Sequence, residues 1–112
     1  MLPAWRKLRS KRDFNCIYKY GCRVTCPFFV MWYLATHHDQ PTKFAVVTSI
    51  KKMGKAVIRN RGRRRFWALL SQQIGLTPPL GYWLVFNLNK NIIKASWIEL
   101  QQAFKQIIQK IR

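Results

Sequence analysis

The feature that most constrains this chain is residues 55–73, KAVIRNRGRRRFWALLSQQ, which combine a dense arginine cluster with the apolar spacing of a packed helix. Five of the seven positions from 59 to 65 are arginine. On a helical projection of roughly 100° per residue, one side gathers small and apolar residues. We expect this side to be buried: Ile58, Gly62, Phe66, Leu69 and Leu70.

The same projection distributes the polar side chains over the rest of the helix. Asn60, Arg64 and Trp67 are expected roughly opposite the apolar side, with Arg61 beside them. Arg59 and Arg63 flank the other edge of the apolar stripe. The segment therefore predicts a helix that is buried through its aliphatic stripe and presents guanidinium groups elsewhere.

The overall charge indicates the class of partner. The 112 residues include 21 Lys and Arg against three acidic residues, a formal net charge of +18. Such a charge repels itself in a compact fold, and a polyanion neutralises it. The sequence has no acidic residue between Asp39 and Glu99 that could pair with the arginines. The planar guanidinium group binds a phosphate with two hydrogen bonds. We therefore expect nucleic acid on the charged side of the helix.

Length and apolar pattern predict a single domain over residues 1–112, without a membrane partner. The longest apolar run, residues 26–35, is about half the roughly 20 residues of a spanning helix and contains Pro27. The start, MLPAWRKLRSKRDF, lacks the apolar core of a secretory signal. We expect a cytoplasmic protein with reduced thiols.

The cysteines and histidines do not predict a metal or catalytic site. Cys16, Cys22 and Cys26 lack the C-x-x-C spacing of a zinc site, so we interpret them as free thiols. His37 and His38 fall in THHDQP, a segment typical of a loop between strands. Neither set points to catalysis.

Two of the three acidic residues are explained by helix capping. Ser10 with Asp13, and Ser96 with Glu99, each match the capping box that opens a helix. The third acid, Asp39, stands apart. The chain therefore shows neither the carboxylate cluster of a metal-dependent nuclease nor an evident acid–base pair, and we expect no catalytic residue and no metal ligand in it.

Apolar periodicity predicts the order helix, three strands, helix, strand, helix, an α+β sandwich of two layers. The first helix is expected over residues 11–20, and the last begins at Trp97. KKMGKA is expected to form a turn, and the arginine helix to end near Gly75. Four strands are predicted, at residues 22–26, 28–36, 43–50 and 82–88.

Residues 54–65, GKAVIRNRGRRR, resemble the signature of the protein component of bacterial ribonuclease P, in which Arg-Asn-Arg precedes paired basic residues. RDFNCIYKYG resembles the family's first helix, FFVMWYL its following strand, and KFAVVTSIKKMGKAVIRN its strand, turn and helix in the same order. The resemblance covers nearly the whole chain, from about Leu8 to the end. It implies a left-handed βαβ crossover through the arginine helix, against the usual right-handed rule.

The resemblance also implies a function. It implies that a catalytic RNA subunit, with magnesium, removes the 5′ leader of precursor tRNA, while one copy of the protein binds that RNA and the leader. By position, the residues expected to face the catalytic RNA are Lys51, Lys52, Arg59, Asn60, Arg61, Arg63 and Arg64.

Three aromatic residues match a cleft that contacts the leader in the family: Phe14, Tyr18 and Trp32. Unpaired bases stack on aromatic faces with little sequence preference, which suits leaders of variable sequence. The alternative for these residues is ordinary core packing. For Phe14, core packing and a role in the cleft are equally strong interpretations. Polar atoms on the other two rings favour a wet cleft.

Departures from the family pattern limit the detail of this assignment. Trp67 and Ala68 stand where the family usually has Arg and then Glu or Gln, and Val46 and Ile50 replace a usual Gly and Ser. These changes indicate fewer phosphate contacts on the second half of the helix.

The alternative function is a basic ribosomal or general RNA-binding protein without associated catalysis, which explains the charge but not the aromatic first helix and strand. A cationic membrane-active protein is disfavoured because the pattern leaves no free amphipathic face.

Overall fold

The computed structural model describes residues 6–8, 11–36, 42–73 and 81–111 of the chain. The elements follow in this order: β1 (Arg6–Lys7), α1 (Lys11–Tyr20), β2 (Cys22–Thr25), β3 (Phe29–Ala35), β4 (Lys43–Val47), α2 (Ile50–Met53), α3 (Ala56–Gln72), β5 (Tyr82–Leu88), a 3₁₀ helix (Lys90–Ile93) and α4 (Trp97–Gln109). The predicted α+β class and the order of the seven predicted elements are confirmed.

The strands form one sheet in the order β1-β4-β5-β3-β2. β2 with β3 and β3 with β5 are antiparallel, whereas β1 with β4 and β4 with β5 are parallel. Because β4 and β5 are parallel neighbours, the chain crosses over between them, and α2 and α3 form this connection. The crossover through the arginine helix is therefore confirmed, and its left-handed sense stays a prediction from the family resemblance.

The sheet carries side chains into two separate cores. On one face, buried residues of β3, β4 and β5 pack with α3 and α4 around an aromatic centre: Phe29, Phe44, Phe66, Phe86 and Phe104. On the other face, a smaller core contains Leu8, Ile17 of α1 and Val85 of β5. The predicted two layers correspond to the sheet with α3 and α4. The first helix adds a partial third layer, which the sequence pattern did not indicate.

Three short elements were not predicted. The strand expected to reach Ile50 ends at Val47, because the Ser49 hydroxyl accepts the Lys52 amide at 3.1 Å and starts the single turn α2. Part of KKMGKA is therefore helical, and the turn begins at Gly54, whose φ of 81° favours glycine. The edge strand β1 and the 3₁₀ helix are the other two additions.

Of the two predicted capping boxes, the structure describes one. The Ser96 hydroxyl accepts the Glu99 amide at 3.2 Å, and the Glu99 carboxylate accepts the Ser96 amide at 2.9 Å, so the box at the start of α4 is confirmed. Ser10, the segment from His37 to Asp39 and Gly75 lie outside the described residues. Over the ranges that are described, no helix has both the length and the apolar character needed to cross a bilayer.

Candidate nucleic-acid interface

The arginine helix α3 is docked through the side that the projection predicted. Gly62, Phe66, Leu69 and Leu70 are buried. A Cβ at position 62 would lie 2.6 Å from the Met53 Cε, so the side chain of Met53 packs directly on α3 at this glycine. This close packing fixes the direction in which the remaining side chains of α3 point.

One of the five arginines has a structural role. The Arg65 guanidinium donates to the carbonyls of Ile92 at 2.7 Å, Ile93 at 2.8 Å and Ala95 at 2.8 Å. These carbonyls lie in and just after the 3₁₀ helix, where they need donors. Arg65 therefore fastens α3 to the segment that leads into α4, and it was not among the residues predicted to face RNA.

Two of the predicted RNA-facing arginines are held by neighbouring groups. The Arg63 guanidinium donates to the Thr48 hydroxyl at 2.7 Å and to the Asn60 side-chain oxygen. The Arg59 guanidinium donates to the Gly54 carbonyl at 3.4 Å. Both side chains are half-buried, so their directions are set before any ligand arrives.

The other predicted RNA-facing residues are exposed. Arg61 and Arg64 lie on the outer surface of α3, and Lys51 and Lys52 lie on α2. Together with Arg59, Asn60 and Arg63 they form what we call the basic face. The structure thus brings the predicted set onto two consecutive helices, α2 and α3, which are joined by the turn at Gly54.

The predicted position of Trp67 was correct in part, since Trp67 lies beside Asn60 and Arg64 as the projection predicted. The projection placed Trp67 opposite the buried side of α3, but its ring packs against Phe44 of β4 with centroids 5.3 Å apart, and the residue is half-buried. Because β4 lies beside α3, the buried arc of the helix is wider than its aliphatic stripe. A shallow basin of about 410 Å³ is lined by this indole with Asn60, Arg63 and Arg64.

A second concave site lies across the sheet, on the side that α1 covers in part. This cleft has a volume of about 410 Å³ and the following lining: Tyr18, Arg23, Val30, Trp32, Val47, Ser49, Lys52, Asn87 and Leu88. Tyr18 and Trp32, both predicted for the leader cleft, meet edge to face with ring centroids 5.3 Å apart. Tyr18 is 39% exposed, and its hydroxyl donates to the Asn87 side-chain oxygen at 3.4 Å.

Phe14 differs from the other two predicted cleft residues. Its ring centroid lies 6.5 Å from that of Tyr18, and it packs against the smaller core. Phe14 is not part of the cleft lining. Its position agrees with the alternative of ordinary core packing.

Sequence reasoning missed several polar residues of the cleft. Arg23 of β2 lies opposite Trp32 of β3 in the sheet register, and Asn87 lies on β5. Lys52, predicted beside the catalytic RNA, lines the cleft. Alternation along the strands would have placed Asn87 on the face of Val85, but only the strand pairing shows that Arg23 lies beside Trp32.

The thiols show no sign of activation for chemistry. Cys16 and Cys26 are half-buried, Cys22 is exposed, and all three are free. Burial raises the pKa of the Cys26 thiol, an effect that the backbone amides of Phe28 and Phe29 partly offset. In the part of the chain that the structure describes, no group of three or more His, Cys, Asp or Glu side chains is arranged to hold a metal. These residues do not fit a magnesium site, so we derive no step through a protein-bound ion.

A basic helical face and an aromatic cleft on an α+β sandwich are typical of a protein that binds nucleic acid. The family model described as Ribonuclease P matches residues 2–112. A relative from Nitratiruptor sp., named ribonuclease P protein component, is 33% identical over 105 residues, covering 94% of this chain and 91% of the relative. A second relative of that name, from Clavibacter michiganensis, is 32% identical and covers 96% of this chain and 94% of its own length.

The chain therefore belongs to the ribonuclease P protein family, whose members are accessory subunits of an endoribonuclease. Solved structures agree on the fold. The RNase P protein from Thermotoga maritima superimposes with a TM-score of 0.79 at 22% identity, covering 96% of this chain and 98% of that one. The Staphylococcus aureus RNase P protein superimposes with a TM-score of 0.74 at 18% identity, covering 92% of each chain. The family membership does not favour the ribosomal alternative.

Proposed function

We propose that this protein binds the catalytic RNA subunit of ribonuclease P through the basic face and contacts the 5′ leader of precursor tRNA through the aromatic cleft. One protein binds one RNA subunit in this proposal, and the RNA with its magnesium ions cleaves the leader. The observation that carries the proposal is the position of residues 48–52. Thr48 accepts a hydrogen bond from Arg63 of the basic face, while Ser49 and Lys52 line the cleft.

The basic face suits a phosphate backbone. Arg61 and Arg64 are exposed and can each bind a phosphate with two hydrogen bonds. Arg63 is already oriented by Thr48 and Asn60, so less side-chain entropy is lost when it binds. Lys51 and Lys52 continue the positive surface along α2 toward the cleft.

The cleft suits a short single strand of variable sequence. Tyr18 and Trp32 offer aromatic surfaces for unpaired bases, and such stacking contributes about 1 to 3 kcal/mol per base with little sequence preference. Arg23 and Lys52 supply positive charge for the strand's phosphates. Phe14 contributes by holding Tyr18 in place.

In this proposal the protein supplies charge neutralisation and positioning, and the chemistry belongs to RNA. The net charge of +18 offsets the repulsion between two RNA molecules that must meet. We further propose that the protein acts in the cytoplasm, where precursor tRNA is processed in bacteria.

The test is co-purification of the protein from its native cell, followed by sequencing of the bound RNA. We expect the RNA subunit of ribonuclease P to be recovered. Recovery of ribosomal RNA alone would support the alternative function. As a second arm, RNA-free protein should show no magnesium-dependent cleavage of precursor tRNA, and substantial cleavage by that preparation would contradict the division of labour.

A further inference from the structure

The basin on the outer side of α3 is a candidate site that phosphate binding alone does not explain. It is a shallow basin of about 410 Å³ that is open to solvent. Four residues line it, and they come from successive turns of one helix: Asn60, Arg63, Arg64 and Trp67. An indole at this position is not required for binding a polyanion.

The polar groups of the basin are mainly hydrogen-bond donors. The two guanidinium groups carry only donors and a positive charge. The Asn60 side-chain oxygen accepts from Arg63, so the other branch of the planar amide presents its N–H donors. An occupant of this basin must therefore bring acceptors and negative charge.

The apolar wall of the basin is packed against the core. The Trp67 ring packs against Phe44 at 5.3 Å with an interplanar angle of 62°, and Phe44 is 1% exposed. A ring that is already ordered loses little entropy when a flat partner stacks on it. Acceptors, negative charge and a flat apolar surface occur together in a nucleotide.

We propose that the basin binds one unpaired nucleotide of the RNA subunit. The base stacks on Trp67 and accepts hydrogen bonds from the Asn60 amide, while its phosphate pairs with Arg64 and with the oriented Arg63. This inference rests on the proposed function, and it assigns base recognition to a helix otherwise expected to contact only phosphates. A duplex backbone crossing α3 would use the arginines but gain nothing from the indole.

The first experiment measures binding of the full-length protein to a transcript of the RNA subunit from the same organism. Trp67→Leu should weaken binding on the order of tenfold, because the stacking surface is lost. The slope of log Kd against log salt should stay unchanged, because no charge is removed. Arg64→Ala should instead reduce the magnitude of that slope by the amount expected for the loss of about one phosphate contact.

Trp97→Leu is the matched control. Trp97 is also a half-buried tryptophan that packs against the larger core, and it donates to Gln72 of α3 at 2.8 Å, but it does not line the basin. It should lower the melting temperature and leave RNA affinity within about twofold. Equal weakening by the two tryptophan variants, or wild-type affinity of folded Trp67→Leu, would overturn the proposal.

The second experiment changes the RNA and needs no protein variant. Chemical probing identifies the unpaired nucleotides that the wild-type protein protects, and each is then replaced by an abasic residue. One such replacement should weaken wild-type binding on the order of tenfold and should weaken Trp67→Leu binding much less. If no replacement weakens wild-type binding, the basin holds no base and the proposal is wrong, even if Trp67→Leu fails to fold.

The two experiments separate this inference from the proposed function. Should the wild-type protein fail to bind the RNA subunit at all, the proposed function fails. A second result would refute the nucleotide site alone. In that result the wild-type protein binds the RNA, Arg64→Ala reduces the salt dependence of binding, and neither Trp67→Leu nor any abasic replacement changes the affinity.

Discussion

At the scale of single residues, neighbouring arginines of α3 have different roles that composition cannot distinguish. Arg64 is exposed on the basic face, whereas the next residue, Arg65, donates to three backbone carbonyls. The direction of each side chain follows from the rotation of about 100° per residue and from what packs beside α3. The position of the 3₁₀ helix decides which guanidinium becomes structural.

Substitution of Arg65 should therefore affect stability more than substitution of its neighbour. Arg65→Met keeps an unbranched apolar stem but removes the charged donors, and we expect the free energy of unfolding to fall by about 2 kcal/mol. Arg64→Met, at an exposed site, should change it by less than about 0.5 kcal/mol. Urea denaturation of both variants measures the difference. Equal stabilities would refute the structural role of Arg65.

The exposed arginines should dominate the salt dependence of RNA binding. Arg61→Ala combined with Arg64→Ala should weaken binding to the RNA subunit. The magnitude of the slope of log Kd against log salt should fall by the amount expected for the loss of about two phosphate contacts. The control, Lys105→Ala with Lys110→Ala, removes two exposed positive charges, one in α4 and one at the residue that caps its C-terminus. A similar loss in both double variants would show that net charge, rather than the basic face, controls binding.

At the scale of elements, periodicity located the long helices and strands but not the short ones. The amphipathic stripe of α3 and the apolar run of β5 are repeated signals. β5 has the predicted bounds, 82–88, and α3 ends at Gln72, three residues before the predicted end near Gly75. By contrast, α2 starts at a single hydroxyl contact from Ser49, and the 3₁₀ helix starts where Asn89 accepts the Asn91 amide at 2.9 Å. A single polar contact leaves no periodic pattern in the sequence.

The capping box of α4 predicts how stability depends on pH. Hydrogen bonds from the backbone and side chain of Ser96 lower the pKa of Glu99 below its ordinary value of 4.5. Because the folded-state pKa is the lower one, the stabilisation is present above the ordinary value and is lost as pH falls through the lowered pKa. The wild-type protein should therefore lose stability in this acidic range.

Two variants separate the contribution of this carboxylate from other acid effects. Glu99→Gln keeps an acceptor for the Ser96 amide but does not titrate, so its free energy of unfolding should fall less between neutral pH and about pH 3. Glu99→Ala should be less stable than Glu99→Gln at neutral pH. Denaturation curves at several pH values measure both effects, and parallel pH profiles for wild type and Glu99→Gln would contradict the assignment.

At the scale of the whole molecule, the two proposed RNA contacts use different sides of the sheet. The arginine helix packs on one face with α4, while the cleft opens on the face that carries α1. The sequence supplied Tyr18 and Trp32 by family resemblance, and the structure brings their rings together. Arg23 was not predicted from the sequence, because the pairing of β2 with β3 depends on strand register, which periodicity does not reveal.

The most direct test of this account compares precursor and mature tRNA binding by the assembled enzyme. Each protein is combined with the same RNA subunit, and the affinity for a precursor with several leader nucleotides is divided by the affinity for mature tRNA. Tyr18→Leu with Trp32→Leu retains apolar volume but removes the aromatic surfaces of the cleft. The control, Tyr20→Leu with Trp83→Leu, makes the same substitutions in α1 and the sheet outside the cleft lining.

We expect the cleft variant to lose on the order of 1 to 3 kcal/mol of binding to the precursor, with unchanged binding to mature tRNA. The affinity ratio should therefore fall for the cleft variant and stay at the wild-type value for the control. If both tRNAs bind the cleft variant more weakly by the same factor, or if the control lowers the ratio equally, the cleft does not contact the leader.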